Sequence, residues 1–113
     1  MDIETAVTRL GALAQESRLK VFRLLVRSGP EGMAAGEIAR NLKVPHNTMS
    51  SHLAILTRAH LVTARKEGRS MIYKVDIEGT RALLAFLVED CCQGKPQVCA
   101  PLIASTLAEC CTA

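Results

Sequence analysis

A mainly α-helical domain carrying one β-hairpin is what this sequence predicts, and three observations carry the expectation. Apolar residues recur at spacings of three and four through the first half of the chain. Between Leu61 and Val75 the period changes to strand-like alternation around Gly68. From Ile77 onward the apolar residues crowd into a helical stretch again. With 113 residues the chain is about one small domain, long enough to bury a core. Its hydrophobic content of 49% argues against disorder. One Tyr, two Phe and no Trp make that core aliphatic, and dimerisation can supplement it.

The elements follow in order. "DIETAVTRLGALA" places Ile3, Ala6, Val7, Leu10 and Leu13 at helical spacing, with Asp2 as the cap. "ESRLKVFRLLVRSG" puts Leu19, Phe22 and Val26 on one face, widened by Val21, Leu24 and Leu25, and Gly29 with Pro30 ends it. "AAGEIARNL" is a short helix with Ile38, Ala39 and Leu42 inward. "KVPHN" is a tight connection, because Pro45 disfavours helix at Val44. "NTMSSHLAILTRAH" has a narrow apolar stripe of Met49, Leu53 and Leu56, and Asn47 or Thr48 can cap it. "LVTARK" and "SMIYKV" flank the tip "EGR" as a hairpin, with Arg65, Lys66 and Arg69 near the tip. "IEGTRALLAFLVEDCC" is the last long helix, from Ile77 to Cys92, with an apolar face wide enough to meet a second chain. Gly94 and Pro96 stop it, and "PLIASTLAECC" can form a final short helix.

Charge is partitioned along the chain. The net charge of +3 resolves into −2 for residues 1–16, +7 for residues 17–76 and −2 for residues 77–113. A basic middle between acidic ends suits a segment facing a polyanion. The order of short helix, tight turn, polar-faced helix and basic hairpin is that of a winged helix-turn-helix. In that arrangement the second helix reads base edges in the major groove and the wing reaches phosphates or the minor groove. The expected readers are Asn47, Thr48, Ser50, Ser51 and His52, short hydrogen-bonding groups with no acid among them. Arg65, Lys66 and Arg69 are the expected wing contacts. An enzyme is not expected: the sequence has no Cys/His pairing for a nucleophile, no phosphate-cradling Gly loop and no clustered acid/base set.

The runs "LAQESRLKVFRLLV", "EIARNLKVPHNTMSSHLAILTRAHLV" and "RKEGRSMIYKV" resemble the ArsR/SmtB family of metal- and metalloid-responsive repressors. The likeness extends from about Leu13 to Val75, and more loosely to Cys92. Membership implies a homodimer built through the first and last helices. It also implies operator DNA of two-fold symmetry, and release of that DNA when an effector binds. Two departures matter. The Cys-x-Cys of the founding arsenic repressors is missing, because "EGMAAGEIA" holds no cysteine. The zinc-sensing branch uses Asp and His on the last helix, and this last helix has no His. Of the three histidines, His52 is expected to be structural or DNA-facing, and His46 and His60 to be exposed at helix ends.

What remains is sulfur. All five cysteines follow residue 90: Cys91, Cys92, Cys99, Cys110 and Cys111. The opening "MDIETAV" lacks a basic region and an apolar run, so neither a signal peptide nor a membrane span is expected and the chain is read as cytoplasmic. In that compartment clustered thiols point to metal or redox chemistry rather than to a disulfide staple. Thiolates favour soft acceptors. A trivalent metalloid takes three in a pyramid, which Cys91, Cys92 and Cys99 can supply, and some ArsR-type repressors resemble this arrangement. The expected effector is As(III), with Sb(III) or methylarsenite as variants, and no organic cofactor. Cys110 and Cys111 are auxiliary or a dispensable tail. Neighbouring helical residues point about 100° apart. Cys91 and Cys92 therefore meet one ion only if the end of that helix is reshaped, which would alter the spacing of the two recognition helices. Residues 1–92 are thus read as a DNA-binding and dimerisation domain and residues 93–113 as a tail completing the effector site. Rival readings use the same thiols. One is a redox switch, which Glu89 and Asp90 oppose by disfavouring the thiolate. Another is a Cd(II) or Pb(II) sensor with four thiolates. A third is a thiol-rich metal-binding protein with no role on DNA.

Overall fold

The computed structural model describes residues 1–88. The five cysteines, the tail 93–113 and the expected final helix lie outside the described residues. The chain divides into a unit Met1–Leu83 and a second beginning at Leu84. The described elements are α1 (Ile3–Leu13), α2 (Glu16–Ser28), a 3-10 turn (Gly29–Glu31), β1 (Met33–Ala34), α3 (Ala35–Leu42), α4 (His46–Arg58), β2 (Val62–Glu67), β3 (Ser70–Val75) and α5 (Ile77–Val88).

Local chemistry sets most boundaries. Asp2 caps α1, its carboxylate accepting from the Thr5 N–H at 2.7 Å. The Gln15 side chain caps α2 by accepting from the Arg18 N–H at 2.9 Å. Arg18 then turns back, and its Nε donates to the Ala12 carbonyl at 2.6 Å, serving a carbonyl at the end of α1. Gly29, at φ 71, ends α2 as expected. Lys43 adopts the left-handed conformation, φ 55, and closes α3. Pro45, at φ −56 and ψ 144, is the cap of α4, so the helix opens at His46 and neither Asn47 nor Thr48 caps it. Proline's fixed φ suits an extended position just outside a helix, which is why the start moved upstream.

The sheet is antiparallel in the order β1-β3-β2. Glu67 pairs with Ser70, so Gly68 and Arg69 form a two-residue turn. Gly68 has φ 62, a conformation glycine adopts without cost at the first position of such a turn. The third strand was not anticipated. Met33 pairs with Tyr73 and Ala34 with Ile72, so the segment entering α3 is hydrogen-bonded to the hairpin.

Buried side chains in the first unit include Val21, Leu25, Ile38, Met49, Leu53, Leu56, Leu61 and Val62, each under 2% exposed. The expected stripe of α4 is buried as anticipated. The expected face of α2 is not. Leu19 and Val26 are exposed at 45% and 55%, while Val21 and Leu25 are fully buried. The apolar arc of α2 is wide, spanning all but the side that carries Glu16, Lys20, Arg23 and Arg27, so periodicity alone could not choose which part of it faces inward. On α1, Ala6 and Ala12 are buried and Ile3, Val7 and Leu10 are exposed.

Two corners are locked together. The Asp76 N–H donates to the Leu61 carbonyl at 2.9 Å, and the Asp76 carboxylate accepts from the Gly79 N–H at 2.9 Å, capping α5. His60, left-handed at φ 59, leans its backbone on Gly79. A Cβ there would run into the His60 carbonyl and come within 3.0 Å of its Cβ. Alanine is the better helix former, yet Gly79→Ala is expected to destabilise the fold by about 1–3 kcal/mol through this overlap. Urea unfolding of the two proteins checks the sign.

Candidate nucleic-acid interface

α4 has two unlike sides. Met49, Leu53 and Leu56 face the interior, and Asn47, Thr48, Ser50 and Ser51 are exposed. At 100° per residue, Asn47, Ser51, Ala54 and Arg58 form the outermost line, with Thr48 and Ser50 flanking its first turn. Ser51 Oγ lies 3.4 Å from the Asn47 carbonyl, a long contact that leaves the hydroxyl able to turn outward. The first turn of α4 has no acid. From Ile38 to Lys66 the chain has no acidic residue at all and five Lys or Arg.

His52 sits apart from the other expected readers. It falls on the flank between the outer line and the core, partly buried, and its Nδ1 is buried with no hydrogen-bond partner among the described residues. Burial pushes its pKa below the usual 6.5, and the Arg18 guanidinium adds to the shift. The fold therefore favours the neutral ring. Only the remainder of its edge is available to a partner.

The wing is equally differentiated. Arg65 is already engaged: its Nε donates to Glu67 Oε2 at 2.8 Å and its Nη2 to the Glu31 carbonyl at 2.9 Å. It braces the hairpin against the turn after α2. Lys66 and Arg69 make no ion pair among the described residues and are exposed. Alternation along β2 sends Arg65 and Lys66 to opposite faces.

Sequence reasoning missed part of the basic surface. Arg40 Nη1 and His46 Cε1 lie 3.4 and 3.9 Å from the point where a Cβ on Gly36 would stand. A guanidinium and an imidazole thus gather at the first turn of α4, and exposed Lys43 lies in the connection between. The signal available beforehand was the acid-free run, longer than the stretch singled out. No group of three His, Cys, Asp or Glu that could hold a metal ion occurs among the described residues. Among them, too, no helix is long and apolar enough to cross a membrane.

The geometry is that of a surface that can lie in a DNA groove. Comparisons with known proteins agree. Residues 13–65 match the helix-turn-helix domain family. The transcriptional activator HlyU of Vibrio cholerae is 32% identical over 90 residues, covering 80% of this chain and 81% of that one. A Halobacterium salinarum protein named as a putative arsenical resistance operon repressor, ArsR, is 37% identical over 83 residues, 74% of this chain and 64% of that one. The homodimeric winged helix-turn-helix DNA-binding domain from Mycobacterium bovis superposes with a TM-score of 0.64 at 26% identity, over 76% of this chain and 78% of that one.

His52 gives a pH prediction. Its folded pKa lies below its unfolded value, so the unfolded chain binds the extra proton. The stability contributed by the neutral ring is complete above about pH 6.5 and is lost as pH falls toward the folded pKa. Urea midpoints measured from pH 7.5 down to about 5.5 should fall, and His52→Gln should flatten that fall.

Proposed function

Because the chain belongs to the ArsR/SmtB-type family of winged helix-turn-helix transcriptional regulators, we propose that it is a repressor. In this reading it binds operator DNA of two-fold symmetry as a homodimer and releases it when a trivalent metalloid binds its C-terminal thiolates. The observation that carries the DNA half is α4: an exposed, acid-free face of Asn47, Thr48, Ser50 and Ser51 backed by a fully buried stripe. Amide and hydroxyl groups on that face can donate to and accept from base edges in the major groove. Lys66 and Arg69 at the wing, with Arg40 and Lys43 beside α4, supply phosphate contacts that fix register. Arg65 holds the wing in place and His52 sets the inner flank of the reading helix.

Two helices carry apolar surface suited to a partner copy. α1 exposes Ile3, Val7 and Leu10, and α5 exposes Leu84 and Leu87. Single exposed apolar residues are ordinary, but a repeating stripe on a helix is a face in search of cover. The Mycobacterium bovis relative is named as a homodimer.

The effector half rests on the sequence. Cys91, Cys92 and Cys99 offer three soft ligands within nine residues, with Cys110 and Cys111 in reserve. As(OH)3 would exchange its three hydroxyls for three thiolates, each thiol proton leaving with a hydroxyl as water. Sb(III) fits the same ligands, and methylarsenite needs only two. The arsenical name of the Halobacterium relative supports the same class of effector.

Gel-shift titration tests the whole reading. Arsenite should release the operator from wild-type protein. The triple variant Cys91→Ser, Cys92→Ser, Cys99→Ser should bind DNA as tightly and ignore arsenite. Release that persists in the triple variant defeats the thiol site, and release by peroxide or Cd(II) but not arsenite transfers the site to the redox or soft-metal reading. Lys66→Ala should weaken DNA binding on all sequences alike and lower the salt slope by about 1. For the dimer, Val7→Asp should shift sedimentation toward the monomer and weaken operator binding with it.

A further inference from the structure

An open surface pocket of about 380 Å3 lies where α1 meets the end of α4, lined by Glu4, Thr5, Thr8 and Arg9 on one side and Arg58, Ala59 and His60 on the other. It lies at the other end of α4 from the reading turns, with Arg58 on the same outward line, and none of its lining residues is a cysteine. Its chemistry is mixed but not balanced. Arg9 and Arg58 make no ion pair among the described residues, and neither does Glu4, although all three line one space. Arg9 and Arg58 against Glu4 leave these three residues with one net positive charge. The Thr8 hydroxyl donates to the Glu4 carbonyl at 3.1 Å and so is left as an acceptor. Asp2, the other acid at this end of α1, is turned onto the Thr5 N–H.

The wall formed by His60 is fixed by the end of α4, where the Leu61 N–H donates to the Leu56 carbonyl at 3.1 Å and the His60 N–H to the Thr57 carbonyl at 3.1 Å. His60 is left-handed at φ 59, a conformation that non-glycine residues adopt rarely, and Gly79 must lack a Cβ for it to fit. Two arginines lining one open space, neither paired to a carboxylate among the described residues, are a ready receptor for an oxyanion.

We propose that this cavity binds a small hydroxylated phosphate monoester. Arg9 and Arg58 take the phosphate oxygens, and His60 adds an N–H donor. Glu4 accepts from a hydroxyl of the organic part, for which the volume leaves room beside the phosphate. Glu4 also separates this ligand from a DNA backbone phosphate: an internal phosphodiester of duplex DNA offers no free hydroxyl for the carboxylate to accept from. A ligand here touches α1 and the end of the reading helix at once, so it can influence DNA binding independently of the thiols.

Glycerol phosphate, inorganic phosphate and glycerol are the probes, titrated into the full chain at constant ionic strength while the amide resonances of Thr5, Thr8, Ala59 and His60 are followed. Glycerol phosphate should saturate below about 10 mM, inorganic phosphate should bind more weakly, and glycerol should not bind. Arg9→Gln should weaken the ester about tenfold, with Arg9→Lys recovering part of the loss. Glu4→Gln should narrow the preference for the ester over inorganic phosphate. The proposal is overturned if the shifts do not saturate, or if they are unchanged in Arg9→Gln. It is equally overturned if duplex DNA rather than the ester moves these amides while Arg9→Gln lowers the salt slope of DNA binding.

Discussion

Everything this chain can present to DNA depends on burying one side of α4. Met49, Leu53 and Leu56 are each no more than 1% exposed, and the helix packs against α1, α2, α3 and β2. Each such side chain contributes about 1.5–3 kcal/mol when fully withdrawn from water. No polar residue interrupts the buried stripe, so a rotation of the helix about its axis would drive serine hydroxyls into an aliphatic core. The cost of unpaired buried polar groups blocks that rotation. The outward line from Asn47 to Ser51 is therefore set from behind. A recognition surface of small, adaptable side chains gains its precision from aliphatic residues that never meet the ligand.

The second constraint is the double corner that holds the hairpin to the helices. Asp76 bonds back to Leu61 and caps α5, and Gly79 admits the left-handed His60. The end of the reading helix, the root of the wing and the start of α5 thus meet within a few residues. β1 adds a tie from the other side, through Met33 to Tyr73 and Ala34 to Ile72. Arg65 adds another through the Glu31 carbonyl. The wing is braced by β1 and by the Arg65 guanidinium, and its cationic tip beyond them is the part left to adapt to a partner.

Much of this was legible beforehand. Five helices and a hairpin follow from the change of period at Leu61 and its return at Ile77, and the α4 stripe was plain because its other face is so polar. The failures have physical causes. α2 carries Leu19, Val21, Phe22, Leu24, Leu25 and Val26, so no single face stands out, and packing rather than pattern chose Val21 and Leu25. β1 is two residues long and exists only because β3 offers an edge, a fact no local pattern records. The left-handed His60 belongs to the end of α4, where the Leu61 and His60 N–H groups bond back to Leu56 and Thr57, a position that glycine more often marks in sequence. Arg65 resembled its basic neighbours in sequence, but its partner Glu31 lies thirty-four residues away. At the interface, the residue types of the α4 face could be read from sequence, whereas the grouping of Arg40 and His46 over Gly36 required the turn between α3 and α4.

Among the described residues the strand order β1-β3-β2 leaves β2 with one side unpaired. Open strands recruit other strands, and charged side chains are the usual deterrent. Arg65, Lys66 and Glu67 stand on that rim. The wing's charges therefore have two duties, one toward nucleic acid and one toward keeping copies of the chain from joining sheet to sheet. Neutralising the wing removes both at once and invites insolubility that mimics a loss of function. Reversing a charge removes only the first, because a carboxylate repels a second strand as well as an ammonium does.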